Sequence, residues 1–377
     1  MTKPLRALVI GAGWAGEGHT LGLRNAGVEV AAICARNADV VKEVAARLQI
    51  AEASVDWRAA LRELKPDIVS LATPASLREE VILEAIKQKA SIVCEKPLAT
   101  SSVEAKRMLD AIEQAGVKHA YAATQAYDPS VTWIQELVRK DTIGLVKAVE
   151  ISVFVPLFHL NSPWTWSSDL NLGGGALHNA LTHYLGILTK IIGSDPIRVM
   201  GEARIGRGKA PVIGDIHDFR QSFARLSDES VAEVEWRTVT SDTAFHAMLE
   251  YRIPSGEPIT CVIQFDSMMP FSPSYPYLRI YGNQGTIDAR GVFGYEVSIA
   301  GPNGVEAKSV PDRLLEGFPA AGNGEQQKWD AFFRSFVADV KNEPHQSYPT
   351  FREGFRDQRI IEAIRNGSGW TDLTANC

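Results

Sequence analysis

The chain has 377 residues, 45% of them hydrophobic and 22% charged, with four cysteines and a formal net charge of −6. That length suits two domains better than one core, and the mild acidity without any dense Lys/Arg block excludes a nucleic-acid or anionic-membrane surface from the expectations. Cys34, Cys94, Cys261 and Cys377 are too dispersed for a zinc set or disulfide scaffold, and no apolar run approaches a membrane span, so a cytoplasmic protein is expected.

The first predicted element is an apolar strand over residues 5–10, which runs directly into Gly11-Ala12-Gly13-Trp14-Ala15-Gly16. A GxGxxG so placed supplies a tight turn at Gly11, close backbone approach to a pyrophosphate at Gly13, and close helix–strand packing at Gly16. Helix-start N–H groups around Trp14 and Ala15 then face the phosphates. A second strand, 28–34, ends in Ala35-Arg36-Asn37, where an NAD site normally carries an acid for the ribose hydroxyls. Cys34 and Ala35 are not acidic, and Arg36 can bind a 2′-phosphate. The expected cofactor is therefore NADP(H), with NAD the alternative if Arg36 is only a solvated cation.

Helices are predicted over 39–48, 57–64, 77–87 and 102–115, alternating with strands at 67–72, 91–94 and 119–123. This alternation predicts a parallel sheet covered on both faces, with ligands beyond the strands' carboxyl ends. Thr73, Pro74, Glu95, Lys96, Thr124 and Gln125 then fall on the cofactor side. Past Tyr127-Asp128-Pro129 the pattern changes to a helix near 131–138 and long alternating stretches at 147–155, 197–205, 217–226, 231–238, 243–251 and 259–265. A turn-rich segment at 281–286 and helices over 326–340 and 351–366 complete the chain. The fold class is α/β: an N-terminal Rossmann dinucleotide-binding domain over 1–125, and a C-terminal α+β domain over 126–377 with a large, mostly antiparallel open sheet. The outer face of that sheet needs cover, and the alternating run from Ser230 to Trp236 points to a homodimer or homotetramer.

Two segments carry residues suited to chemistry. In Val93-Cys94-Glu95-Lys96-Pro97-Leu98, Lys96 can donate to a substrate oxygen and ease loss of its proton, while Glu95 can orient it or reach the nicotinamide ribose. An ordinary exposed ion pair is the alternative for these two residues. In Gly173-Gly174-Gly175-Ala176-Leu177-His178-Asn179-Ala180-Leu181-Thr182-His183, three glycines precede a helix on which Asn179 and His183 share a face. A histidine is the natural proton acceptor near neutral pH. With no Asp or Glu at metal-ligand spacing and no nucleophile elbow, neither zinc nor Ser-His-Asp hydrolysis is expected.

These motifs, with Ala72-Thr73-Pro74, Tyr281-Gly282-Asn283-Gln284-Gly285-Thr286 and Pro349-Thr350-Phe351-Arg352-Glu353-Gly354, resemble the glucose–fructose oxidoreductase and inositol dehydrogenase (Gfo/Idh/MocA-type) family over nearly the whole chain. The resemblance implies that Lys96 lies near the substrate hydroxyl and nicotinamide, and it matches Asn179 and His183 to an aspartate and a histidine of the family. The chain departs from the family pattern at Asn179, at Gly186 in place of a further aspartate, at Ser167 in place of an arginine after Trp166, and at Thr124-Gln125-Ala126 in place of Asn-x-Arg. The substrate side is thus less charged, with Trp166, His178, Tyr127, Trp164 and His159 as surfaces for a sugar. The activity implied is NADP(H)-dependent hydride transfer at a secondary alcohol or carbonyl carbon of a sugar, cyclitol or derivative, with Lys96 and His183 catalytic. The alternatives are redox-neutral glycoside cleavage or epimerisation with a retained cofactor, reduction of a non-sugar carbonyl or imine, and cofactor binding without turnover.

Overall fold

The computed structural model describes residues 4–214, 216, 218–252, 256–270, 277–290, 296–318 and 324–374. Six short strands, β1 (Arg6–Ile10), β2 (Glu29–Cys34), β3 (Glu52–Ser54), β4 (Ile68–Leu71), β5 (Ser91–Cys94) and β6 (His119–Tyr121), form a parallel sheet in the order β3-β2-β1-β4-β5-β6. The helices between them are α1 (Trp14–Asn25), α2 (Ala38–Arg47), α3 (Trp57–Leu64), α4 (Arg78–Lys87) and α5 (Ser102–Ala115). Side chains of Asn37, Asp56 and Ser101 start α2, α3 and α5 by accepting from first-turn N–H groups. Strand order reverses between β1 and β4, which opens a crevice at their carboxyl ends.

After α6 (Pro129–Arg139), a second sheet assembles from β7 (Val146–Phe154), β8 (Pro196–Arg204), β11 (Ala244–Arg252), β12 (Pro258–Asp266), β13 (Tyr277–Gly282), β14 (Thr286–Arg290), β15 (Glu296–Gly301), β16 (Gly304–Ser309) and β17 (Thr371–Asp372). Its order is β16-β15-β14-β13-β7-β12-β11-β8-β17, and β9 (Lys209–Pro211) pairs with β10 (Trp236–Thr238) as a separate ribbon. Neighbours in the large sheet run antiparallel except β7 and β12, which are parallel at its centre. The sheet is therefore mixed. Helices α6, α7 (Thr182–Ile192) and α11 (Phe351–Asn366) cover one face, packing Ile134, Leu185, Leu188 and Ile361 onto Phe245, Leu249, Ile263 and Leu278.

Among the described residues, one predicted strand is replaced by a helical turn and another is cut to three residues. The described part of 217–226 holds a helical turn, Phe219–Phe223, started by Asp218; His217 lies outside the described residues. The stretch 231–238 holds the end of α8 (Asp228–Val231), capped by Ser227, and the three-residue β10. Alternating polarity is weak over such short windows, and a capping Asp or Ser offers the backbone a local partner that competes with strand pairing. The run from Ser230 to Trp236 is thus no part of the large sheet. Beyond α9 (Asp312–Leu315), α10 (Glu325–Val340) returns to the first sheet, where Trp329, Phe332, Phe333 and Phe336 pack with Ala7, Val9 and Leu23. The chain thereby recrosses the boundary expected near residue 125.

Candidate active site

A cleft of about 920 Å³ lies beyond the carboxyl ends of the parallel strands, walled on its far side by the second domain. Gly11, Gly13, Trp14, Ala15, Arg36, Asn37, Thr73, Pro74, Glu95, Lys96 and Gln125 all line it, facing Trp166, Asn179 and His183. The glycine turn has a steric cause: Gly11 has φ +121°, and a Cβ there would lie 2.4 Å from the Ala72 carbonyl oxygen. The cap position of α1 is Gly13, which offers no side chain to the first-turn N–H groups. Buried Thr73 Oγ1, in the next loop, has no hydrogen-bond partner among the described residues. Unclaimed donors at a helix start and a side-chain-free approach fit the pyrophosphate of a dinucleotide. At the end of β2, Cys34 is buried while Arg36 is exposed. The Asn37 side chain caps α2, accepting from the Asp39 and Val40 amides at 3.0 and 3.1 Å.

Lys96 projects from the end of β5, and its Nζ donates to the Asn179 carbonyl at 3.3 Å, linking the domains. Burial lowers the proton affinity of this amine, and Arg78 adds to that, against the opposing charges of Glu95 and Glu325. For the buried Glu95 carboxyl, desolvation alone would raise its value, but His19, Lys96 and Arg78 outweigh it and hold it below the usual range. Glu95 Oε2 accepts from its neighbour's amide, Lys96 N, at 3.0 Å. The Arg78 guanidinium, 3% exposed, donates to the Thr73, Glu95 and Pro97 carbonyls and ties together the loops after β4 and β5.

On the opposite wall the helix does not begin as a regular α-helix. Residues Leu177–Leu181 form a π-type turn ahead of α7, the kind of widened turn often found at functional sites. Asn179 Nδ2 donates back to the Gly175 carbonyl at 2.9 Å. Gly175 has φ +103°, and a Cβ there would meet Asp242 Oδ1 at 2.7 Å. Asp242 in turn accepts from Leu177 N at 2.7 Å and from Arg365 Nη2 at 2.9 Å, so a part-buried ion pair anchors the glycine loop. His183 is half-buried, and its Nδ1 has no hydrogen-bond partner among the described residues. Burial, then the charges of Lys96 and Lys328, push it well below the ordinary histidine value, so it is neutral near pH 7.

Four expected substrate-side residues do not line the cleft. His178 turns into the domain interior, where Nδ1 lies 2.9 Å from the Gly174 carbonyl and Nε2 lies 3.2 Å from Gln358. Tyr127 packs on Phe332 at 5.9 Å, in the core of the first domain. Trp164 donates to the Thr238 carbonyl at 3.0 Å, and the His159 carbonyl accepts from Arg207. Trp166 does face the cleft, 5.4 Å from the Phe219 ring. Sequence reasoning passed over His19, Arg78, Phe219, Asp242, Glu325, Lys328 and Trp329. Lys328 is fully buried and donates to Gln125 Oε1 at 2.7 Å and Glu325 Oε1 at 2.9 Å, fixing two cleft residues. The available signal was polarity in the wrong place: His19 and Lys328 occupy apolar faces of α1 and α10.

The model of an oxidoreductase family NAD-binding Rossmann fold matches residues 5–123, and the model of its C-terminal alpha/beta domain matches 135–368. The chain belongs to the Gfo/Idh/MocA oxidoreductase family. Within it, a levoglucosan dehydrogenase from Pseudarthrobacter phenanthrenivorans is 26% identical over 54% of this chain and 57% of its own length. An inositol 2-dehydrogenase from an Arthrobacter species is 33% identical over 38% of this chain and 44% of its own length. The chain thus aligns with between two fifths and three fifths of these relatives. A solved levoglucosan dehydrogenase complex with NADH and L-sorbose has the same fold, with TM-score 0.83 at 21% identity over 98% of both chains. Among the described residues, no helix is long and apolar enough to cross a membrane, and no group of three His, Cys, Asp or Glu could hold a metal ion.

Proposed function

We propose that this family member is an NADP(H)-dependent oxidoreductase acting at a secondary alcohol or carbonyl carbon of a sugar, cyclitol or sugar derivative. The observation that carries the reading is the convergence of Lys96 and His183, from different domains, on one cleft that also holds the glycine cradle. A bound nicotinamide dinucleotide supplies the hydride acceptor or donor. Lys96 donates a hydrogen bond to the substrate oxygen and stabilises the charge that develops there. His183, kept neutral by burial and neighbouring cations, takes the hydroxyl proton in the oxidative direction. Asn179 and Trp166 line the substrate side, a polar contact and a flat face for a sugar ring.

The choice of NADP rests on Cys34, Ala35 and Arg36 at the end of β2, none of which places a carboxylate where the strand end meets the ribose. The names of the relatives, a levoglucosan dehydrogenase and inositol 2-dehydrogenases, support a carbohydrate-like substrate. The deciding experiment measures reduced cofactor formed with each dinucleotide across a panel of sugars and cyclitols. NADP should be preferred, Arg36→Ala should weaken NADP selectively, and Lys96→Ala should lower kcat by about 10² to 10⁴, far more than it weakens cofactor binding. Product without net cofactor reduction would instead establish the redox-neutral chemistry, and an NAD preference of about tenfold or more would overturn the cofactor assignment.

A further inference from the structure

We propose that His19 is a positioning residue for the reaction, clamped between Ser70 and Glu95 so as to hold the carboxylate that stands behind Lys96. This rests on the reading of Lys96 as the donor to the substrate oxygen. His19 lies on α1, three residues past the last glycine of the turn, and is 0% exposed. Its Nδ1 is 2.8 Å from Ser70 Oγ on β4, and its Nε2 is 3.1 Å from Glu95 Oε1 at the end of β5. The ring is wedged edge-on against Phe333 at 5.0 Å and Trp329 at 6.1 Å. One imidazole thus joins α1 to strand β4 and to the loop after β5.

The proton positions follow from the partners. Glu95 is ionised and can only accept, so Nε2 carries hydrogen and donates to it. Nδ1 faces the Ser70 hydroxyl, which can serve either as donor or as acceptor to it. Both nitrogens are satisfied in this arrangement, and turning the ring would break two buried hydrogen bonds. The second Glu95 oxygen is taken by the Lys96 amide at 3.0 Å, so the carboxylate is held from two sides.

The charges facing Lys96 are Glu95 beside it, Arg78 on α4 and Glu325 on α10, with neutral His183 across the cleft. Burial and Arg78 oppose the ammonium, whereas the two carboxylates favour it. Loss of the His19 donor leaves a buried carboxylate short of a hydrogen bond, which favours its protonation. Lys96 then loses its nearest counter-charge and becomes neutral at lower pH. His19 acts on Lys96 through Glu95 without touching the substrate.

The test is the pH dependence of Lys96 acylation by acetic anhydride in the cofactor-free protein, read by peptide mass spectrometry with exposed Lys42 as internal reference. His19→Leu should move the half-labelling pH of Lys96 downward by about one unit and leave Lys42 unchanged. His19→Gln, which keeps an amide donor, should recover part of the shift. In a Glu95→Gln background, His19→Leu should add nothing, because the two changes act on one interaction. His19→Asn, polar but too short to reach Glu95, replaces His19→Leu if that variant does not fold. Unchanged Lys96 labelling in a folded His19 variant would overturn the proposal, as would a shift that persists in full without the Glu95 charge. Labelling reports the amine directly, so the result is independent of whether Lys96→Ala loses turnover.

Discussion

Burial lowers the proton affinity of both Lys96 and His183, but their surroundings differ. Lys96 has Glu95 and Glu325 as counter-charges, while His183 faces only cations among its named electrostatic neighbours. Asn179 supplies no charge where the family pattern has a carboxylate. An imidazole so depressed stays deprotonated in acid, so the fall in kcat/KM for oxidation should have its midpoint below the unperturbed histidine value of about 6.5. Asn179→Asp adds a negative charge that favours the imidazolium, and should raise that midpoint by about one unit. A pH–rate profile of both proteins checks this. Coincident profiles, together with near-normal turnover in His183→Asn, would transfer the proton-carrying role to Lys96. Of the two histidines in this segment, sequence spacing alone places either near a ligand. The interior contacts of His178 with Gly174 and Gln358 separate them, and those depend on α11 packing behind the π-type turn.

Helices α1 and α10 meet at Gly18 and Gly22, where Cβ atoms would lie 2.1 Å from the Trp329 ring and 2.5 Å from the Phe333 ring. No flexible side-chain end is available there to move aside, so Gly18→Ala forces the indole or the whole helix to shift. Overpacking of this kind costs about 1–3 kcal/mol, which should appear as a lower urea midpoint without a change in slope. Trp329 also lines the cleft and lies 5.2 Å from Trp14, so cofactor affinity should fall together with stability. The helix over 326–340 was legible from its periodicity, because an amphipathic stripe is written into adjacent turns. Its partner was not, since the contact joins segments some three hundred residues apart; Gln326 Nε2 donates to the Gly18 carbonyl at 3.2 Å.

For the molecule as a whole, three buried or half-buried histidines resist protonation in the fold. Burial pushes His119 down to about 4 and His178 to about 3, with His183 also well below its ordinary value. The unfolded chain binds these protons near pH 6.5, so it holds more protons than the fold below that pH, and stability falls with falling pH. Asp357, pushed up to about 6 by burial, works in the opposite sense as it protonates earlier in the fold than in the unfolded chain. Burial raises Asp128 as well, and two carboxyls against three imidazoles leave a net loss, so Tm should drop between about pH 7 and pH 5 in thermal scans. We also expect a homodimer or homotetramer through the large sheet. The face opposite α6, α7 and α11 presents half-buried Met200, Met248 and Val262 among charged residues on β8, β11 and β12. Light scattering should give the mass of two or four chains; the mass of one would refute it.

Short-range features were open to reading from the residues: the GxGxxG turn, the alternation of strands and helices, the caps, the Glu-Lys-Pro segment and the hairpin at 281–286. Each depends on neighbours within a few turns of chain, where sterics and periodicity act locally. The same locality misled at 217–226 and 231–238, where apparent alternation yielded to capped turns. Tertiary contact alone decided that β7 and β12 run parallel, that α10 joins the first domain, and that His19 reaches Glu95 across 76 positions. It also decided that Lys328 could be buried, because only the folded chain brings Gln125, Asp128 and Glu325 around its ammonium to offset the loss of water.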